Sequence, residues 1–178
     1  MQSSRAVLCL VAVLFVTFFG HAQKLKREPL TEAQVEKIRE AGIDPNQRIL
    51  LYTQYANEHA ETLKSVAERP KSPARSKRLD DELQDFTALL DELASNLDQY
   101  GERKSDMRPA LKKLHENCPK WLDILKAMPV EPMYDAARKE AMQSWNDLAE
   151  DARELLKEQD EFFVKNKKAK GQERQEPE

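Results

Sequence analysis

An amphipathic segment with a seven-residue repeat, residues 79–100, constrains the fold of this 178-residue chain more than any other feature. Asp, Glu, Gln and Asn fill most positions between its apolar side chains. The apolar side chains alternate at spacings of four and three, which places them in one stripe along a helix. They are Leu79, Leu83, Phe86, Leu90, Leu93, Leu97 and Tyr100. Other helices must cover such a stripe, so the segment predicts a helical bundle with coiled-coil packing.

Three further long segments carry the same kind of stripe, and a shorter helix precedes them. Thr31 and Gln34 form a capping box that opens the short helix, and Gly42 ends it. The long segments begin after Asp44, at Leu79, after Ser105 or Asp106, and after Pro132. These patterns predict an all-α chain: an up-down antiparallel four-helix bundle preceded by one short helix, with successive long helices as neighbours.

Local breakers refine this prediction. Residues 69–78 contain prolines, serines and basic residues and are predicted to form a loop, and Gly101 is predicted to end the third long helix. Pro119 interrupts the fourth segment but leaves its stripe in phase, which predicts a kink and not a break. Arg138 and Gln159 fall on the apolar stripe of the last helix, which extends to Phe162, and are expected to weaken its packing.

The composition agrees with this fold class. Charged residues make up 34% of the chain, aromatic residues 7%, and there are only four glycines. Strands and tight turns need more glycine and β-branched residues than this. The formal net charge of −3 argues against a general nucleic-acid binder, which is usually basic.

The first 22 residues resemble an export signal. An apolar run at residues 6–20 follows Arg5 and precedes a small-x-small cleavage site at Ala22. We therefore expect a signal peptide at 1–22, a bundle domain at 23–164 and a disordered charged tail at 165–178, with a periplasmic or secreted location. Basic residues just after the predicted cut favour the alternative, an uncleaved anchor at residues 6–20 that holds the protein at the inner membrane.

Few residues are candidates for chemistry. The sequence holds no Glu-x-x-His pair for a di-iron bundle, no glycine-rich phosphate loop and no G-x-S-x-G motif, so we expect no enzyme and no cofactor. His59 lies on a stripe and is either a metal ligand or pH sensor, or a hydrogen-bonded core residue. Cys118, the one cysteine after the signal, either forms an intermolecular disulfide or is buried and inert.

The basic loop is the remaining candidate interaction site. Its charges offer a surface for phosphate or lipid headgroups, but a solvated loop is the favoured explanation. The basic residues are Arg69, Lys71, Arg75, Lys77 and Arg78. Aromatic side chains between the basic ones would favour single-stranded nucleic acid, and the loop has none. Trp121, Trp145, Tyr52 and Tyr55 either line a ligand cavity or belong to the core.

Two resemblances accompany these patterns. Leu30-Thr31-x-x-Gln34 resembles the LTxxQ motif of periplasmic helical stress chaperones, which implies binding of unfolding clients. Residues 44–49 and 85–93 are similar to an uncharacterised family of exported bacterial helical proteins, which implies no activity.

We expect an exported, non-enzymatic bundle that acts through contacts with an unknown protein partner or as a homodimer. Membrane contact is expected only if the N-terminal segment is uncleaved. The alternatives are a stress chaperone and a small-ligand or metal binder within the bundle.

Overall fold

The computed structural model describes residues 28–166, and the regular structure within them is entirely helical. Five helices follow one another: α1 (Glu32–Glu40), α2 (Pro45–Ala67), α3 (Pro73–Glu102), α4 (Arg108–Ala127) and α5 (Asp135–Lys165). The predicted all-α class is confirmed, with a short α1 before four longer helices. The signal peptide or anchor predicted for 1–22 and most of the tail predicted for 165–178 lie outside the described residues.

The helix starts follow from local sequence. Thr31 and Gln34 form the complete capping box, and Asp44 accepts hydrogen bonds from the backbone N–H groups of Asn46 and Gln47. These side chains satisfy N–H groups that have no partner inside the helix. Gly42, at a φ of 60°, adopts the left-handed conformation that ends α1. The predicted capping box of Thr31 and Gln34 and the predicted end of α1 at Gly42 are confirmed.

The packing forms a ring of four helices. Both α2 and α5 pack against α3 and α4, and α1 lies against α2. The helices α3 and α4 follow each other in sequence but make at most a marginal contact, so the prediction that successive long helices are neighbours is wrong for this pair. Residues 103–107 link them, and five extended residues span about 17 Å, enough to cross the end of the bundle.

The core follows the stripe of α3. Leu79, Leu83, Phe86, Leu90 and Leu93 are all 0% exposed. Leu89 is also 0% exposed although it lies off the stripe, because α3 packs against two neighbouring helices and therefore buries a wider face than a single seam.

Two boundaries of α3 differ from the prediction. The helix begins at Pro73, not near Leu79, because proline fits the first turn of a helix and Ser72 caps it. It continues through Gly101, where an added Cβ would lie 3.2 Å from a methyl carbon of Leu155. Gly101 therefore permits close approach of α5, and Lys104, at a φ of 55°, adopts the left-handed conformation after the helix.

The last two helices also differ in detail. Helix α4 continues through Pro119, as predicted for an interruption that does not break the helix. Met107 occupies the N-cap position of α4, not Ser105 or Asp106. In α5 the buried aromatic residue near the end is Phe163, not Phe162, and the helix includes Lys165, which was assigned to the tail.

Candidate functional site

His59 lies between three parts of the chain. Its Nδ1 is 2.6 Å from a carboxylate oxygen of Glu82 on α3, and its Nε2 is 3.2 Å from the carbonyl oxygen of Pro29, before α1. Both partners accept hydrogen bonds, so the protonated ring, which donates from both nitrogens, satisfies both. The side chain is 15% exposed. His59 therefore fastens the start of the described chain to α2 and α3, which agrees with the hydrogen-bonded core alternative.

Two opposing influences act on the pKa of His59. Burial is the largest influence and favours the neutral ring, but the hydrogen bond and charge of Glu82, the Pro29 carbonyl and the charge of Asp85 together outweigh it. The pKa of His59 is therefore raised above its ordinary value. Protonation then stabilises the folded state, most fully below the unfolded pKa of about 6.5.

We expect His59→Gln to change how stability depends on pH. In the native chain, this contribution is lost as the pH rises through the raised folded pKa, so stability falls in that range. The variant lacks this fall and is about 1–2 kcal/mol less stable at pH 6, where a charge-assisted hydrogen bond is lost. Urea unfolding from pH 5.5 to pH 8.5 measures both effects. Parallel profiles for the two proteins would contradict the assignment.

Cys118 is buried on α4. It is 3% exposed, and burial raises the pKa of its thiol to about 11. Its backbone carbonyl accepts a hydrogen bond of 2.7 Å from the indole of Trp145. A thiol in such surroundings reacts slowly, which agrees with the inert alternative and not with an intermolecular disulfide.

The five basic residues predicted as one loop are separated by the structure. Arg75 is buried in the first turn of α3, so its expected place in a solvated loop is wrong. Its guanidinium contacts Glu131 at 2.9 Å and donates to the carbonyl of Ala67 at 3.1 Å. Ser76 donates to the other carboxylate oxygen of Glu131 at 2.8 Å. The hydrogen bonds from Arg75 and Ser76 lower the pKa of Glu131.

The other four basic residues are exposed. Lys71 lies 3.6 Å from Glu131, and Lys77 lies 2.6 Å from Asp81 within α3. Arg69 and Lys71 belong to the connector between α2 and α3, whereas Lys77 and Arg78 lie on α3 itself. Only Arg69 and Lys71 therefore belong to a loop.

Exposed apolar side chains accompany these two cations. Val130 is 70% exposed and Met133 is 56% exposed, both in the turn between α4 and α5. The contacts of Glu131 hold this turn beside the α2–α3 connector. We call the two segments, residues 68–72 and 128–134, the loop end. Sequence periodicity did not identify these apolar residues as a surface, because a turn has no helical face to reveal them.

Two exposed apolar residues lie at the corner between α1 and α2. Ile43 is 96% exposed and Leu50 41%, whereas Val35, which is 40% exposed, lines a different cleft with Leu30, Ile38 and Tyr52. A cleft of about 430 Å³ lies between α1 and α2, and we call it the elbow cleft. Its lining combines apolar side chains with a polar rim: Lys37, Glu40, Ala41, Gln47, Leu50, Leu51 and Gln54.

Three of the four aromatic residues proposed as cavity lining are held by hydrogen bonds, whereas the hydroxyl of buried Tyr55 has no hydrogen-bond partner within residues 28–166. Trp121 donates to Asn57 at 2.6 Å, and Tyr52 donates to Glu92 at 2.7 Å. Trp145 donates to the Cys118 carbonyl. Trp121 and Tyr52 are 1% and 2% exposed. These contacts favour the core alternative over a ligand cavity.

Residues 28–166 contain no group of three His, Cys, Asp or Glu side chains with the arrangement of a metal site. Within the same residues, no helix is both long and apolar enough to cross a bilayer. His115, the other histidine of this region, is exposed on α4. Comparison of the chain with protein-family models, with curated proteins and with solved structures found no match.

Proposed function

We propose that the protein is a non-enzymatic helical-bundle module that acts by binding an amphipathic helix of a partner protein at the elbow cleft. The observation that carries this proposal is the elbow cleft itself, where Ala41, Leu50 and Leu51 form an apolar floor beside the 96% exposed Ile43. Exposed apolar side chains that are grouped, and not scattered, are typical of protein-binding surfaces.

The chemistry of the elbow cleft favours a helix as the partner element. Ala41, Leu50 and Leu51 offer room for apolar anchors, while Lys37 and Glu40 on one side and glutamines on the other match a polar helix flank. A helix that lies in such a groove uses anchors at spacings of three and four residues. The rim carries both charge signs, so strongly charged partners gain no advantage here.

The engagement of the reactive side chains supports the non-enzymatic part of the proposal. His59 uses both ring nitrogens to hold other parts of the chain, and the Cys118 thiol is buried with a raised pKa. Catalytic acids, bases and nucleophiles need access to a substrate and a pKa near the working pH.

We further propose that the four long helices run up-down-up-down. Two contacts between α2 and α3 support opposite directions, because Tyr52 pairs with Glu92 while His59, later in α2, pairs with the earlier Glu82. A hydrogen bond of 2.7 Å from Asn46 to the carbonyl of Asp106 joins the starts of α2 and α4 and supports a common direction. The contact between Arg75 and Glu131 does the same for α3 and α5.

For location, we propose export to the periplasm or beyond, supported by the apolar run and cleavage pattern of residues 1–22. Retention of residues 6–20 as an inner-membrane anchor is the alternative. The intact mass of the purified protein distinguishes the two outcomes, because cleavage removes residues 1–22 and an anchor retains them.

Site-specific photocrosslinking tests the proposed contact. A benzoylphenylalanine replaces Leu50 in the full chain, and irradiation in the expressing cells is expected to give one discrete adduct. Peptide mapping should locate the crosslink in an amphipathic helical segment of the partner. The added variant Ala41→Glu, which places a charge in the cleft, should reduce the adduct about tenfold or more.

The matched control carries the same probe at Glu61, an exposed position on α2 that does not line the elbow cleft. Equal adducts from positions 50 and 61, or no adduct from position 50, would refute the elbow cleft as a binding site. An adduct between two copies of the chain would replace the hetero-partner with a homodimer.

A further inference from the structure

We propose that the loop end docks on the surface of a membrane rich in anionic lipids, with Val130 and Met133 entering the interface and Arg69 and Lys71 contacting lipid phosphates. This surface is separate from the elbow cleft, which adjoins the start of α2, whereas the loop end adjoins its last residue. From Gln54, the last cleft residue on α2, to Ala67 at its end, the helix rises by about 20 Å. The inference therefore does not depend on the proposed protein contact.

The loop end is a single surface because one carboxylate joins its two segments. Glu131, in the α4–α5 turn, contacts Arg75 at 2.9 Å and Lys71 at 3.6 Å, and it accepts a hydrogen bond from Ser76. Buried Tyr134 donates to the carbonyl of Pro129 at 2.5 Å and holds the same turn from the other side. The hydrogen bonds and ion pairs of Glu131 and Tyr134 therefore hold in place the turn that carries the exposed side chains.

The apolar part of the surface is unusual for a turn in contact only with water. Val130 and Met133 are 70% and 56% exposed. Prolines at positions 70, 73, 129 and 132 are also exposed around them. Burial of such side chains in the boundary between headgroups and acyl chains is favourable in proportion to the apolar area removed from water.

The charge of the loop end matches anionic headgroups. Glu131 is neutralised by the contacts just described, and Asp135 lies 2.8 Å from Lys139 and 3.2 Å from Arg138. Glu68 and Asp123 are exposed acids that reduce the net charge, and exposed Lys64 beside them offsets part of this reduction. The cations Arg69 and Lys71 flank the apolar turn, and Lys126 is exposed near the end of α4. Basic residues beside exposed apolar ones are attracted by anionic lipid and held by insertion.

The start of the described chain lies within reach of this end. The carbonyl of Pro29 is bonded to His59, which is eight residues from the last residue of α2 and so about 12 Å along the helix. The seven residues 21–27 follow the apolar run and span up to about 24 Å when extended. If residues 6–20 act as an anchor, this linker is therefore long enough to let the loop end reach the bilayer.

Vesicle binding by the full chain tests the proposal. Cosedimentation is measured with phosphatidylcholine vesicles and with vesicles that also contain phosphatidylglycerol. Partitioning onto the anionic vesicles is expected to be about tenfold or more stronger, and Arg69→Glu/Lys71→Glu should remove that increase. The apolar N-terminal run binds both kinds of vesicle, so binding to neutral vesicles measures its share.

The matched control reverses two exposed cations at the opposite end, Arg103→Glu/Lys165→Glu, and should retain the increase. Thermal melts of both double variants confirm that each is folded. An equal loss in both double variants would replace specific docking with a general charge effect. Equal partitioning onto neutral and anionic vesicles would overturn the lipid assignment.

Insertion is measured separately with an environment-sensitive fluorophore at Val130→Cys in a Cys9→Ser background. Buried Cys118, whose thiol pKa is raised to about 11, stays unlabelled. Anionic vesicles should shift the emission of the probe at position 130 to the blue and leave a probe at Val164→Cys, at the opposite end, unchanged. No shift at position 130, or the same shift at both positions, would overturn the proposed orientation.

Discussion

The Phe86→Ala variant is expected to lose about 3–5 kcal/mol of unfolding free energy, the largest effect of any single change considered. Phe86 is 0% exposed and meets Trp121 edge to face, with ring centroids 6.0 Å apart. Across the centre of the bundle, this ring contact joins α3 to α4. The other contacts between these two helices are at most marginal. Alanine leaves a cavity that four surrounding helices cannot close without moving together.

Chemical denaturation of the native chain and the variant measures this loss. Phe162→Ala is the matched control, because Phe162 is only partly buried near the end of α5, and its cost should be about 1 kcal/mol or less. Phe86→Leu keeps most of the volume and should cost less than alanine. Similar losses for Phe86→Ala and Phe162→Ala would mean that the centre of the bundle is not tightly packed.

The second large effect is expected at Gln159, with a loss of about 2–3 kcal/mol for Gln159→Met. Gln159 is 5% exposed. Its side-chain oxygen accepts from the backbone N–H of Met107 at 2.9 Å, and its nitrogen donates to the carbonyl of Ser105 at 2.7 Å. Methionine keeps the length of the side chain but removes the partner of a buried N–H and of a partly buried carbonyl.

Urea unfolding compares this variant with Gln143→Met, a control at an exposed position on the same helix. The control should change stability by about 0.5 kcal/mol or less. Amide hydrogen exchange at Met107 should also accelerate in Gln159→Met, because the N–H loses its acceptor. If Gln159→Met is as stable as the native chain, the start of α4 is held by other contacts.

Gln159 also shows where sequence reasoning reached its limit. Its position on the apolar stripe predicted a weak point, whereas the structure makes it a hydrogen-bonded link to the start of α4. The partner backbone groups lie more than 50 positions earlier in the chain. Which turn of α4 lies opposite Gln159 depends on the longitudinal alignment of the two helices, and stripe spacing does not determine that alignment.

The same reason explains Arg75. Its neighbours Lys71, Lys77 and Arg78 suggested a solvated basic loop, but Glu131 lies opposite it, in a turn 56 positions later. Repeating apolar positions, by contrast, predicted the class of fold and the buried face of α3, because burial of a stripe needs no knowledge of its partner. His59 falls between these cases: its place in the core was foreseen as one alternative, but Glu82 and Pro29 as partners were not.

The crossing between α3 and α4 divides the chain into two continuous halves, α2 with α3 and α4 with α5. Contacts within each half join neighbouring parts of the sequence, whereas contacts of α2 with α4 and of α3 with α5 close much longer loops. Short-range contacts form at lower entropic cost, so each half can collapse before the two dock. Cleavage within residues 103–107 would thus leave two fragments able to reassociate, which makes this crossing a natural site for splitting the protein into complementing parts.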